Sequence, residues 1–416
     1  MNSTSRSKLN AKQDVSCVAF DRKVAASREL LVDVSVIMRS DAQTGIQRVV
    51  RALLGALLRA DLDGFVVRPV YATRKVGYAY VPQESGILNG QALSEQNTTR
   101  QINAKSGDIF LGLDLAANIL PRHRRQIESW RRNGCMIAAI MYDLLPEKHP
   151  EWFNPKTKRN YRRWLRIVTK KSDRIICISS EVATQLEDWL AVWPWRGNSR
   201  LRLNTMRLGC DIDESIPTTG MPSDAEALIT LLAAKRVLLV VGTIEPRKGH
   251  ACLLPAFDAL WREQSSEDLA LVFVGRPGWR TETLQGQIRN HPEAGKRFHW
   301  FDDASDEFLG QLYELADGVI VPSLAEGFGL PLVEALGHGA PVLARDLPVF
   351  RAMNLANVTY FSQDEPSSLA DTIRKWLDHR EVEISPAGNP APTWKDAFAD
   401  LLFCLSIKEK SALFDK

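Results

Sequence analysis

What most constrains this chain is a change of hydrophobic period that repeats along nearly all of it. Leu30-Leu31-Val32-Asp33-Val34-Ser35-Val36-Ile37 is an almost continuous apolar run rich in β-branched residues, as in a strand covered on both faces. Past Thr44-Gly45, apolar residues fall at 46, 49, 50, 53, 54, 57 and 58, the spacing of a helix with one core-facing stripe. Strand-like runs recur at 65–71, 108–113, 135–142, 174–178 and 201–207, with helix-like runs at 121–132, 156–171 and 180–191. A looser stretch from Asp211 to Ala225 holds Pro217, Thr218, Thr219, Gly220, Pro222 and Ser223, the composition of a linker. The alternation then restarts, with strands near 236–241, 269–275, 297–301, 318–321 and 341–344, and helices near 249–263, 281–290, 305–316, 331–338 and 366–378. Strands separated by helices imply right-handed βαβ units and mainly parallel sheets. The expected fold class is α/β: two doubly wound, Rossmann-like domains facing an interdomain cleft. Residues 1–28 read as a flexible tail, 29–215 as the first domain, 216–392 as the second, and 393–416 as a C-terminal helix returning to the first.

Composition narrows the class. Hydrophobic residues make up 45% and charged residues 25%, which fits a globular chain and excludes a disordered one. The longest apolar runs, such as Cys135 to Tyr142, fall well short of the ~20 residues that span a bilayer. Met1 to Asn10 is polar and no apolar core follows it, so no signal peptide is expected and the cytoplasm is the expected compartment. Six cysteines are scattered without a C-x-x-C pair, so neither a disulfide framework nor a zinc site is expected.

In doubly wound sheets, ligands bind beyond the carboxyl ends of the strands, so the loops there matter most. Pro322-Ser323-Leu324-Ala325-Glu326-Gly327-Phe328-Gly329-Leu330-Pro331-Leu332-Val333-Glu334 follows the short strand Val319-Ile320-Val321. Gly327 and Gly329 permit a tight turn and close approach of a ligand, and Pro331 suits the first turn of a helix. The unsatisfied N–H groups of that turn, with the helix dipole, favour an anion. Glu326 and Glu334 flank it and can accept hydrogen bonds from sugar hydroxyls, although either alone reads equally as a solvated or helix-favouring side chain. A second segment, Val240-Val241-Gly242-Thr243-Ile244-Glu245-Pro246-Arg247-Lys248-Gly249-His250, ends the strand that opens the second series. The adjacent cations Arg247 and Lys248 suit a diphosphate, or an ordinary solvated turn. Neither a P-loop nor the G-x-G-x-x-G of a nicotinamide dehydrogenase is present. Asp211-Ile212-Asp213 is a D-x-D, but its place in the linker reads as coincidence rather than as a metal site.

Together, Gly242 to Gly249, Val274-Gly275-Arg276-Pro277-Gly278-Trp279, Pro322 to Glu334 and Gly339-Ala340-Pro341-Val342 resemble the retaining nucleotide-sugar glycosyltransferases of family 4, with the GT-B fold. Glu326 and Glu334, with seven residues between them, look like that family's E-x7-E signature. Asp33-Val34-Ser35 and Thr44-Gly45-Ile46-Gln47-Arg48-Val49 resemble its amino-terminal donor-side loop, and Met141-Tyr142-Asp143-Leu144-Leu145-Pro146 with His149-Pro150 the segment before its catalytic cleft. The resemblance implies that Lys248 and Arg247 hold the donor diphosphate and that Glu326, with the backbone of Phe328 and Gly329, meets the donor sugar. It further implies that Glu334 binds the ribose diol, Gly45 lets the first domain close on the phosphates, and Asp143 faces the sugar or acceptor. Gly242, Thr243, Gly275, Arg276, Gly327 and Leu330 complete the implied donor-binding set, which makes 29–215 the implied acceptor-side domain and 216–392 the implied nucleotide-sugar-binding domain. Many members have Arg where this chain has Thr243, and His where it has Tyr142; both positions, with Thr393-Trp394-Lys395-Asp396, are similar to a subgroup that includes bacterial O-antigen and capsule mannosyltransferases. The implied activity is retaining transfer of a hexose, with mannose from GDP-mannose favoured, to a glycan or polyprenyl-diphosphate-linked acceptor in surface polysaccharide synthesis. Positioned cations and helix-start N–H groups would stabilise the departing diphosphate, so the nucleotide sugar is a substrate and neither cofactor nor metal is expected. A non-catalytic sugar-nucleotide-binding paralogue and a nucleotide-sugar epimerase are the alternatives.

The net charge of +3 hides an asymmetry: residues 1–215 hold 34 Lys and Arg against 22 Asp and Glu (+12), and the remainder 19 against 28 (−9). A basic half joined to an acidic half points to an anionic partner met by one of them. Between Glu151 and Arg174 lie nine cations, at 156, 158, 159, 162, 163, 166, 170, 171 and 174, around an apolar stripe of Tyr161, Trp164, Leu165 and Val168. Two readings stay open: segment 156–174 lies on the anionic inner face of the cell membrane, or the stripe is core and the cations are solvated. No nucleic-acid-binding module is recognisable, so no nucleic acid partner is expected.

Overall fold

A computed structural model describes residues 28–40, 44–82, 102–192, 198–263, 268–379 and 388–410; the expected tail over residues 1–28 lies outside them except for Arg28, which opens the first strand. The first sheet runs β3-β2-β1-β4-β5-β6-β7, from β1 Arg28–Asp33, β2 Phe65–Tyr71, β3 Ala79–Tyr80, β4 Ile109–Gly112, β5 Met136–Met141, β6 Arg174–Cys177 and β7 Arg202–Thr205. The second runs β10-β9-β8-β11-β12-β13, from β8 Arg236–Val241, β9 Leu269–Val274, β10 Phe298–Phe301, β11 Gly318–Val321, β12 Val342–Arg345 and β13 Val358–Phe361. Neighbouring strands pair in parallel, apart from the antiparallel β2 and β3. The molecule is thus two doubly wound α/β domains.

Period-two alternation sorts the second sheet's side chains onto two faces. Val237, Leu239, Val319, Val321 and Val342 join one core that runs continuously to Leu30 and Leu31 of the first domain. Leu238, Val240, Ile320 and Leu343 join another, confined to the second domain. Strand order reverses at β2-β1-β4 and again at β9-β8-β11, which opens a crevice beyond the carboxyl ends at each reversal. The loop Gly242–Gly249 leaves β8 and the loop Pro322–Gly329 leaves β11, so both flank the second reversal.

Some expectations need correction. The run 30–37 is a strand only to Asp33, after which the chain turns. Asp33 Oδ1 accepts the Ser35 N–H at 2.9 Å, and Asp114 Oδ2 accepts those of Val36 and Ile37 at 2.7 and 2.8 Å, so these carboxylates take donors that a ladder would use. The linker span ends where helix Ala225–Ala233 begins, and Asp213–Ser215 within it is a single 3₁₀ turn. The stripe of Tyr161, Trp164, Leu165 and Val168 on helix Pro155–Lys171 is buried against the first domain. It therefore cannot insert into a lipid surface, and only the cationic face of segment 156–174 is open to a partner.

Helix Trp394–Leu405 begins with a capping box of Thr393 and Asp396, and lies on the first domain. Arg174 donates to the Cys404 carbonyl, and Arg207 grips the Asp400 carboxylate through Nε at 2.8 Å and Nη2 at 2.9 Å. The chain thus returns across the seam after completing the second sheet.

Candidate active site

The two second-domain loops are joined directly. The Leu324 N–H donates to the Arg247 carbonyl at 2.7 Å, and a Cβ on Gly249, at φ 70°, would fall 2.1 Å from the Pro322 carbonyl oxygen. This contact brings the side chains together. Lys248 Nζ donates to Glu326 Oε1 at 2.5 Å and Arg247 Nη1 to Glu326 Oε2 at 3.0 Å, while Ser323 Oγ donates to Oε1 at 2.8 Å. The other guanidinium nitrogen of Arg247 lies 2.7 Å from Glu245 Oε1. Burial pushes the Glu326 carboxyl up, but Lys248 and Arg247 outweigh it and hold it down at about 2. Glu245 and Asp143 go the other way, since burial raises both beyond what Arg247 lowers. Two cations thus share a pocket with one firmly ionised carboxylate and two that resist ionisation.

The first domain supplies the opposite wall. Asp143 follows β5, with its Oδ1 accepting the Leu145 N–H at 3.1 Å. A Cβ on Gly327 would fall 2.1 Å from the Tyr142 carbonyl oxygen and 3.1 Å from Asp143 Cβ, so only glycine lets the walls approach this closely. Ser179 Oγ donates across the seam to the Gly327 carbonyl at 2.7 Å. At the rim, Trp279 Nε1 donates to the Trp152 carbonyl at 2.7 Å and Arg280 Nη1 to that of Glu151 at 2.5 Å.

Arg247, Lys248, Glu326 and Asp143 therefore converge. Gly242 underlies the aliphatic stem of Lys248, and a Cβ on Gly275 would strike the Gly242 carbonyl at 2.1 Å. Thr243 packs against Gly278. Phe328 is buried, and Gly329, at φ 102°, caps helix Leu330–Gly337. Gly45 is the first residue of helix Gly45–Arg59 and faces Leu330. Arg276 has a half-exposed guanidinium 3.5 Å from Asp303. Tyr142 points into the first-domain core, where its hydroxyl donates to the Leu113 carbonyl at 2.7 Å.

Glu334 is only 1% exposed. It accepts from Tyr313 at 3.0 Å and from Arg48 of the first domain, whose other guanidinium nitrogen donates to Asp306. Arg48, Asp306, Tyr313 and Ser179 are site neighbours that sequence reasoning does not single out. A signal for Arg48 exists, since Arg48 and Arg51 interrupt an otherwise apolar helix face and a buried cation needs an anion. Among the described residues, no three His, Cys, Asp or Glu side chains converge as metal ligands, and no helix is long and apolar enough to cross a membrane.

Comparison with known proteins fits this geometry. The chain is 38% identical over 386 residues to the serotype-specific mannosyltransferase WbdA of Escherichia coli, which covers 92% of this chain but 47% of the relative. It thus spans about half the length of that protein. The O-antigen chain mannosyltransferase B of Escherichia coli is 35% identical over 153 residues, 35% of this chain and 38% of that protein. In fold, the chain matches HepE of Anabaena, solved with UDP and glucose, at a TM-score of 0.58 and 18% identity, covering 91% of this chain and 96% of that one. The shared fold is GT-B. Residues 230–386 match the family described as glycosyl transferases group 1. Both loops that bring Lys248 and Arg247 to Glu326 lie within that stretch, and the chain belongs to the group 1 glycosyl transferases.

Proposed function

We propose that this chain is a retaining mannosyltransferase that moves mannose from GDP-mannose to a glycan or polyprenyl-diphosphate-linked acceptor in bacterial surface polysaccharide synthesis. The observation that carries the reading is the joint hold of Lys248 and Arg247 on Glu326, at the glycine-rich start of helix Leu330–Gly337 and opposite Asp143. The donor diphosphate takes the two cations, which stabilise the charge that builds as the glycosidic bond breaks. Glu326, relieved of part of its ion pairing, accepts hydrogen bonds from the sugar hydroxyls, and the acceptor hydroxyl approaches on the face the diphosphate leaves, bonding to the anomeric carbon and giving its proton to the departing diphosphate oxygen. Asp143 closes the sugar's side of the cleft. Glu334 receives the ribose diol by sharing or exchanging its bond to Arg48. The likeness to the mannosyltransferase WbdA over nearly the whole chain supports the choice of sugar.

The test is release of GDP from GDP-mannose with an acceptor, beside thermal shifts with GDP-, UDP-, ADP- and dTDP-sugars. A true donor raises the melting temperature by mass action. Lys248→Ala is expected to lower turnover by at least about 100-fold, as loss of one preorganised charge contact does elsewhere. Unaltered turnover in that variant would refute the site.

A further inference from the structure

Next to the cleft, the first domain holds a cavity of about 690 Å³ between helices Arg124–Arg132 and Pro155–Lys171. Six cations line it: Arg124, Lys158, Arg159, Arg162, Arg163 and Arg166. Two carboxylates stand near them: Glu147 meets Arg162 Nε at 2.7 Å, and Glu128 feels Arg124. The cavity is therefore strongly positive. A flat bilayer surface needs no such concavity, whereas a compact phosphate ester does, because guanidinium groups converging from several sides bind its oxygens in pairs.

Its position ties it to the reaction. Pro150 lines the cavity and opens the turn Pro150–Trp152, whose Glu151 and Trp152 carbonyls are held by Arg280 and Trp279 of the second domain. Glu147, the partner of Arg162, lies four residues beyond Asp143 in the segment that forms the cleft wall. One short stretch of chain thus separates cavity from cleft. Its outer side carries aromatic faces, His149 stacked on Trp152 at 4.1 Å and Phe153 beside Trp279 at 6.0 Å, on which the apolar faces of sugar rings can lie.

We propose that this cavity seats the diphosphate of a prenyl-diphosphate-linked acceptor while its glycan runs over Pro150–Phe153 into the cleft, an inference that rests on the transferase reading above. The probe is farnesyl diphosphate, titrated against the full chain with saturating GDP present to occupy the donor site. Binding is expected to persist under GDP, and Arg159→Ala with Arg163→Ala to weaken it about tenfold or more, as loss of two charge-assisted contacts implies. Both arginines are exposed, and a retained GDP-induced thermal shift reports that the double variant is folded. The Arg159→Lys and Arg163→Lys pair, which keeps the charge, is expected to recover part of the affinity. Absent binding, competition with GDP, or an affinity unmoved by the alanine pair would overturn the proposal. So would dependence on these arginines that shows only in flotation with phosphatidylglycerol vesicles, which assigns them to a membrane surface. Failure of the wild type to bind GDP at all would instead strike the transferase reading, so the two failures are told apart.

Discussion

At the scale of single residues, the site is governed by which carboxylates are charged. Glu326 stays ionised because two cations touch it, whereas burial keeps protons on Asp143 and Glu245 beyond the usual carboxylate range. A diphosphate therefore meets a net positive pocket only while those two remain neutral. Affinity for GDP-mannose, whose diphosphate is esterified at both ends and keeps a constant charge over this range, is expected by calorimetry to weaken as pH climbs above the ordinary carboxylate range of about 4. The direction should reverse in neither Asp143→Asn nor Glu245→Gln, but each should flatten the profile. A second pair lies behind the cleft. Burial raises Asp33 to about 6 and Asp114 to about 7, the latter helped by the charge of Asp33. Because the folded values are raised, the folded state holds the protons longer. The pair's stabilising contribution is full below about pH 4 and is lost as pH rises through about 7. Asp114→Asn removes one titration and the like charge, so its melting temperature is expected to fall less than that of the wild type between pH 4 and 8.

At the scale of elements, the loops after β8, β11 and β5 meet because glycines let them. Gly327→Ala would press a methyl group into the Tyr142 carbonyl, which cannot retreat without opening the seam that Ser179 bridges. The expected result is loss of most turnover with the fold retained, read by acceptor-dependent GDP release beside circular dichroism; wild-type turnover would show that the walls need not touch. The strand–loop–helix units around Lys248 and Glu326 were legible in sequence, since apolar runs ending in Gly-Thr or Pro-Ser mark strand ends directly. Of the edge strands, β7 and β10 were legible and two others were not: β13 is half exposed and β3 is two residues long, too short for a period to register. Nor was the end of β1, because the carboxylate that diverts Val36 and Ile37 belongs to Asp114, far along the chain. The same holds for Glu334: its helix was expected, but Arg48 as its partner, 286 positions away, was not.

At the scale of the whole molecule, Arg48 joins the domains. Its guanidinium keeps its proton despite burial because Glu334 and Asp306 surround it. Arg48→Ala leaves both carboxylates buried and short of a cation, expected to cost roughly 3 kcal/mol in denaturant unfolding, with Arg48→Lys intermediate because it lacks the fork. Small-angle scattering of the alanine variant should show a larger radius of gyration; an unchanged radius and stability would mean that the shared apolar core alone holds the domains together.

The return of helix Trp394–Leu405 to the first domain has a mechanical meaning. The outgoing and homecoming passages touch: the Cys210 N–H donates to the Pro392 carbonyl at 2.9 Å, and the Trp394 N–H to Asp211 Oδ2 at 3.4 Å. Two covalent straps fastened side by side tie the lobes at one corner and keep them from drifting apart. A single peptide-bond cut in either strap would leave the lobes still tethered.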